Sequence, residues 1–253
     1  MSKFFTNKEN IFENDGIIKI AGEDVNHMKN VLRLIAGDEL TVCDGCGVDY
    51  ICHIDKIYKN EIILNINSKT TCHTEPPYKA VLFQGIAKGE RMDQLIQKCV
   101  ELGVYKIVPV ICGRTVVKFN NDKDKESKKA RWQKIAVEAA KQCNRGIVPE
   151  IGEITEFSEA IKLADADLKF IPYEEEKDIT LKNILTDVNQ NIFQVKDIEF
   201  IIGPEGGFEK HEVDFANSNG FKTVTLGNRI LRTETAGPAV LAILGHELER
   251  IQK

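Results

Sequence analysis

Two segments of this 253-residue chain bring together residue types from which a reactive site can be built. In Phe200-Ile201-Ile202-Gly203-Pro204-Glu205-Gly206-Gly207-Phe208 an apolar run passes into three glycines and a proline, and a helix is expected from Glu209. Such a loop lets backbone amides approach a ligand closely. It is not a phosphate cradle: no Lys-Ser/Thr pair closes it, the GxGxxG spacing is missing, and Glu205 would repel a phosphate. A tight strand-to-helix turn with nothing bound is the competing reading. The second segment, Leu226-Gly227-Asn228-Arg229-Ile230-Leu231-Arg232-Thr233-Glu234-Thr235-Ala236, again leaves a strand and enters a helix. Thr233 reads as the N-cap of that helix and Glu234 as a complement to its dipole, a role as well supported as a catalytic one. Arg232 is either a surface ion-pair partner or a donor for an anionic substrate or developing negative charge. Loops at neighbouring strand ends can share one pocket.

Weaker signals lie elsewhere. Cys43-x-x-Cys46 with Cys52-His53 has a zinc-like look, but Asp44-Gly45 reads as a hairpin turn and no second ligand pair follows, so no metal is expected. Lys88 and Arg91 lie in a strand-end loop leading into a helix, where phosphate contact and solvated caps are equally open. Glu174-Glu175-Glu176 reads as a solvated loop, although Pro172-Tyr173 just before it follows a strand end and can border a pocket.

The elements that position these loops follow from hydrophobic periodicity. Short strands are expected at Ile17–Ile20, Glu39–Cys43, Val48–Ile54 and Glu61–Ile66, interrupted by a helix over Glu23–Leu34 with Met28, Val31, Leu32 and Ile35 on one face. This is a small β-rich module. Thr74-Glu75-Pro76-Pro77 is the linker candidate, giving domains over 1–73 and 74–253. Strands and helices then alternate: Ala80–Ile86, a helix bearing Met92, Leu95, Ile96, Cys99 and Val100, Lys106–Ile111, a long helix with Trp132, Ile135, Ala136, Ala139, Ala140 and Cys143, then Leu168–Pro172, Ile198–Ile202 and Lys222–Leu226. Alternation predicts an α/β domain with a mainly parallel sheet covered on both faces and ligands at the carboxyl ends of its strands. The charged run Asn120–Lys129 is expected to be a mobile connection.

Composition limits the function classes. No apolar run approaches the ~20 residues of a membrane-spanning helix, and no membrane partner is expected. Residues Met1–Lys8 show no apolar core of a signal sequence, and the odd count of seven cysteines argues for reduced thiols, so a cytoplasmic address is expected. The net charge of -5 hides an uneven distribution, since residues 76–150 carry 15 basic against 8 acidic side chains. That field suits either a phosphate-facing surface or an ordinary solvated one.

The two loop motifs, Gly203-Pro204-Glu205-Gly206-Gly207 and Leu226-Gly227 with Ile230-Leu231-Arg232-Thr233-Glu234-Thr235-Ala236, resemble those of the RsmE-type small-subunit ribosomal RNA methyltransferases of the knotted SPOUT class. Phe4-Phe5, His27 with Val31-Leu32-Arg33, Lys88, Glu101-Leu102-Gly103-Val104, Arg131-Trp132 and Glu138–Arg145 follow in that family's order, so the resemblance covers nearly the whole chain. Lys3 stands where members usually carry an arginine. The resemblance implies a PUA-like β-barrel for RNA at the N-terminus, a C-terminal α/β domain closed by a trefoil knot, and a homodimer. It also implies S-adenosylmethionine as cofactor, with methylation of N3 of a uridine in 16S ribosomal RNA of the small ribosomal subunit. Carried onto this chain, it places the cofactor on Pro172, Ile202, Gly203, Pro204, Glu205, Gly206, Gly207, Leu226, Gly227, Ile230, Leu231, Arg232, Thr233 and Ala236. RNA falls to Lys3, His27, Arg33, Lys88, Arg91 and Arg145, and catalysis to Arg232 with Glu234. A ribose 2′-O methyltransferase of the same class and a noncatalytic RNA-binding or ribosome-assembly factor are the alternatives.

Overall fold

The computed structural model describes residues 3–189 and 196–249. The chain divides into two compact units, one formed by Met1–Glu75 with Ala140–Val148, the other by Pro76–Ala139 with Pro149–Lys253.

In the first unit six strands, β1 (Lys3–Phe5), β2 (Ile11–Phe12), β3 (Ile17–Ala21), β4 (Glu39–Cys43), β5 (Val48–Ile57) and β6 (Glu61–Thr71), pair in the order β1-β4-β5-β6-β3-β2. All ladders are antiparallel except β1 with β4. Alternation along β3, β4 and β5 turns Ile18, Ile20, Leu40, Val42, Tyr50, Cys52 and Ile54 inward, where Phe4 and Met28 complete the core. Asp44 accepts hydrogen bonds from the amides of Cys46 and Val48, so the Cys43-x-x-Cys46 segment is a hairpin turn.

The helix expected over Glu23–Leu34 is shorter than its periodicity suggests. Helix α1 spans Glu23–Asn26, a π-helical turn follows over His27–Val31, and Arg33 takes a φ of 55°. A π-turn adds a residue to the repeat, so later side chains rotate off the expected face. Met28 stays buried, whereas Val31, Leu32 and Ile35 are exposed.

The second unit contains β7 (Lys79–Gly85), α2 (Glu90–Glu101), β8 (Lys106–Ile111), β9 (Glu150–Ile151), β10 (Thr155–Glu156), α4 (Phe157–Leu163), β11 (Leu168–Pro172), α5 (Leu181–Asn189), β12 (Asp197–Ile202), α6 (Lys210–Ser218), β13 (Lys222–Val224) and α7 (Thr233–Leu248). Helix α3 (Asp122–Gln142) follows β8. It begins within the run expected to be a mobile connection: the Asn121 side chain caps it by accepting from the Asp124 amide, and Asp122 and Asp124 sit in its positive first turn. The sheet runs β10-β8-β7-β12-β11-β13 with β9 beside β8, and every ladder is parallel. Helices on both faces explain why Ile198, Phe200, Ile201 and Ile202 of β12 are all buried. Helix α2 buries the predicted stripe of Met92, Leu95, Ile96, Cys99 and Val100. No helix among the described residues is long and apolar enough to cross a membrane.

Candidate active site

Register brings the carboxyl ends of four strands into line. Gln84 of β7 pairs with Ile202 of β12, Phe170 of β11 pairs with Phe200, and Pro172 pairs with Val224 of β13. The loops leaving β11, β12 and β13 line a cleft of about 450 Å³, walled by Pro172, Glu174, Ile202 to Phe208, Ile230 to Glu234, Ala236 and Arg91. A second hollow of about 260 Å³ shares Pro172, Glu174, Ile230, Leu231 and Ala236 and adds Thr225, Leu226 and Gly227. Residues far apart in the chain and singled out from the two motifs thus border one continuous depression.

The first loop is a tight fold of backbone. A Cβ on Gly203 would stand 3.2 Å from the Gly207 backbone, and Gly207 itself has a φ of +68°, with its amide bonded to the Pro204 carbonyl. A Cβ on Gly206 would stand 3.0 Å from Arg114 Cβ. Arg114 also donates to the Gly206 carbonyl at 2.9 Å. Glu205 neither caps α6 nor points its carboxylate at an open wall: Oε1 accepts from the Lys88 amide at 2.9 Å and from Arg91 at 2.8 Å. Partial burial works against this carboxylate, but those two donors hold its pKa below the usual value. The cap of α6 is Glu209, in a capping box with buried Glu212, whose Oε1 also accepts from the Gly113 amide.

In the second loop, Arg232 is the N-cap residue of α7, by backbone geometry alone. Thr233 sits one position later, and its hydroxyl is committed elsewhere, donating to the Gly203 carbonyl at 2.6 Å and accepting from Gln84 at 2.9 Å. The threonine therefore stitches the two loops together instead of capping the helix. Arg232 is exposed and has no ion pair among the described residues. Glu234, in the first turn of α7, keeps Oε2 buried without a hydrogen-bond partner among the described residues.

Two residues assigned to RNA are built into the first unit instead. Arg145 is 3% exposed and forks onto Glu75, with Nη2 2.6 Å from Oε2, while the Gly146 and Ile147 amides donate to the other oxygen. The Lys3 side chain, 4% exposed, lies 2.8 Å from Asp49 and also donates to the Asn144 carbonyl. Burial with a carboxylate partner removes both cations from any external phosphate. His27, Arg33, Lys88 and Arg91 are exposed, His27 with its ring edge-on to Phe4 at 5.9 Å.

Sequence reasoning passed over Glu174, Arg114 and Gln84. Glu174 sits in a run of three glutamates that looks solvated, and Arg114 and Gln84 follow or end strands beside a single glycine each, outside any longer motif. Their place just at a strand's carboxyl end is the one signal that marks them.

The comparisons with known proteins agree with this geometry. Residues 74–245 match the RNA methyltransferase domain family and residues 20–67 the RNA methyltransferase PUA domain. The ribosomal RNA small subunit methyltransferase E of Bacillus subtilis (strain 168) is 31% identical over 92% of this chain and 91% of its own length. That of Aquifex aeolicus (strain VF5) is 32% identical over 87% and 90%. Among solved structures, the Neisseria gonorrhoeae enzyme of that name bound to S-adenosyl methionine superposes with a TM-score of 0.85, at 32% identity and 97% coverage of both chains. A Legionella pneumophila methyltransferase in complex with the cofactor gives 0.84, at 31% identity and 96% coverage of both. With a parallel sheet opening its cleft at the strand ends and relatives matched along almost their full length, this chain belongs to the ribosomal RNA small subunit methyltransferase E family of RNA methyltransferases.

Proposed function

We propose that the chain methylates N3 of a uridine in 16S ribosomal RNA of the small subunit, using S-adenosylmethionine. The observation that carries the reading is the cleft itself, formed by the glycine loop after β12 and the loop before α7. Its chemistry suits that cofactor. Apolar walls from Pro172, Ile202, Ile230 and Leu231 accept a nucleoside, and Glu174 and Glu234 place carboxylates on the lining that favour a cation. The backbone at Gly203 and Gly207 is folded too tightly for side chains, so main-chain groups form this part of the wall.

When bound, S-adenosylmethionine supplies a methyl group on a sulfonium, ready for in-line attack. The chain's own groups must prepare the attacking nitrogen. A uracil N3 keeps its proton at neutral pH, and Glu234, which lines the cleft from the first turn of α7, is the carboxylate placed to accept that proton. The exposed guanidinium of Arg232 stabilises the negative charge that spreads onto the uracil carbonyl oxygens. His27, Arg33, Lys88 and Arg91 contact the RNA backbone. We assign 1–73 to RNA recognition as a PUA-like domain and 74–253 to methyl transfer as a SPOUT domain with its C-terminal trefoil knot, and place the protein in the cytoplasm as a homodimer.

The test is direct. Titration calorimetry with S-adenosylhomocysteine should give heat with the wild-type protein, and uridine methylation mapped in rRNA from a strain lacking the gene should reveal one missing N3 methyl group. Heat without that missing mark would shift the reading to ribose methylation or another RNA, and no heat at all would leave a noncatalytic RNA-binding protein.

A further inference from the structure

We infer that Gln84 is a positioning residue for the cofactor cleft, its amide tying the end of β7 to both loops that form it. The inference rests on the methyltransferase reading, which names the ligand of that cleft. Gln84 is fully buried in a parallel strand, between Pro109 of β8 and Ile202 of β12. Its Nε2 donates to the Gly85 carbonyl at 2.8 Å and to Thr233 Oγ1 at 2.9 Å, and that hydroxyl donates onward to the Gly203 carbonyl at 2.6 Å. Two hydrogen bonds in series therefore join the end of β7, the first residue of the glycine loop and the first residue of α7. The backbone leaves no slack there, since a Cβ on Gly85 would stand 2.5 Å from Pro204 N.

The other half of the same amide argues that stability is not what Gln84 supplies. Gln84 Oε1 is buried with no hydrogen-bond donor among the described residues. It lies 3.8 Å from where a Cβ on Gly237 of α7 would stand, with Leu82 and Cys99 beside the same point. An acceptor buried without a donor raises the free energy of the folded state. A methionine, unbranched and of similar length, would fill that space without the cost. A side chain that breaks a local rule of core packing, while its other end fixes the geometry of a cleft, is expected where placement matters more than stability.

The experiment uses the full chain with Gln84→Met, Thr233→Val and the double variant. Affinity for S-adenosylhomocysteine is read by calorimetry, and the melting temperature is read without ligand. The expected result is a loss of about tenfold or more in affinity for each single variant, and a double variant no weaker than the worse single, because both changes cut one relay. Gln84→Met removes the orphaned acceptor together with the two bonds from Nε2, so its melting temperature should stay close to that of the wild type. Unchanged affinity in folded Gln84→Met, losses that multiply in the double variant, or a melting temperature that falls in step with affinity would each overturn the assignment. So would a Gln84→Met chain that fails to fold, since the amide would then be holding the fold. Absence of heat with the wild-type protein is a separate outcome that removes the cofactor reading first and the role of Gln84 with it.

Discussion

Two arginine–glutamate pairs in this molecule share one chemistry and serve opposite ends. Arg145 sits buried in the first unit against the half-buried Glu75, whose carboxylate also takes the Gly146 and Ile147 amides. Arg91 and Glu205 sit exposed at the mouth of the cleft in the second. The buried pair is satisfied from every direction that the fold supplies and is closed to any ligand. The open pair holds the glycine loop with a bond that water and phosphate can contest. Arg232 completes the contrast, being a cation with no ion pair among the described residues. Residue type alone does not sort scaffold from site; burial and partnership do.

Breaking the buried pair should have the largest effect. Arg145→Ala leaves Glu75 without its guanidinium in a largely desolvated place, and a loss of about 3–5 kcal/mol of folding stability is expected, measured by urea unfolding. Little loss would show that the amides of Gly146 and Ile147 suffice.

Next comes Arg232→Ala, for which turnover should fall on the order of 10²-fold or more, a few kcal/mol, while S-adenosylhomocysteine affinity and melting temperature stay close to wild type. Arg232→Lys should rescue poorly, because a point charge lacks the planar fork. Parallel losses of affinity and stability would instead make Arg232 a brace for its loop.

A smaller change is expected from Lys88 and Arg91 together. Neutralising both should flatten the salt dependence of RNA binding, by roughly 0.7 in the log–log slope for each phosphate that no longer meets a cation. An unaltered slope would assign the phosphates to other basic side chains.

The smallest effect concerns Glu205 and pH. Its pKa is lowered in the folded protein, so its pairing with Arg91 and Lys88 contributes fully above the ordinary value of 4.5 and is lost as pH falls through the depressed one. Glu205→Gln should therefore lower stability at neutral pH slightly, by the amount the wild type loses in acid, and the two proteins should converge as pH falls, as read from melting temperature against pH. An acid limb identical in the two proteins would show that other carboxylates govern it.

The contrast between the two pairs also explains what the sequence made legible. The strands of the second unit were readable because a doubly covered parallel strand such as β12 must be apolar almost throughout. The cleft was readable because glycine has a backbone role that few other residues can fill, as at Gly207. Arg145 was misread because its partner lies 70 positions away, and no local pattern distinguishes a cation bound for the interior from one bound for RNA. The helix after β3 was misread because a single π-turn shifts the periodicity on which such a reading rests. Gln84 offered no pattern at all, since a lone polar residue in an apolar strand declares its purpose only through its partners.

The return of Ala140–Val148 to the first unit has a consequence for synthesis on the ribosome. A nascent chain that has emerged only as far as Glu75 has its six strands but lacks Arg145 and the amides of Gly146 and Ile147, so the Glu75 carboxylate has none of these partners. The first unit is therefore completed only after β7, α2, β8 and α3 have been made. The second unit waits longer still, because β7 finds its neighbour β12 more than a hundred residues downstream. The first unit thus closes once Val148 has been made and the second only after β12 and β13, with apolar strands exposed in the interval.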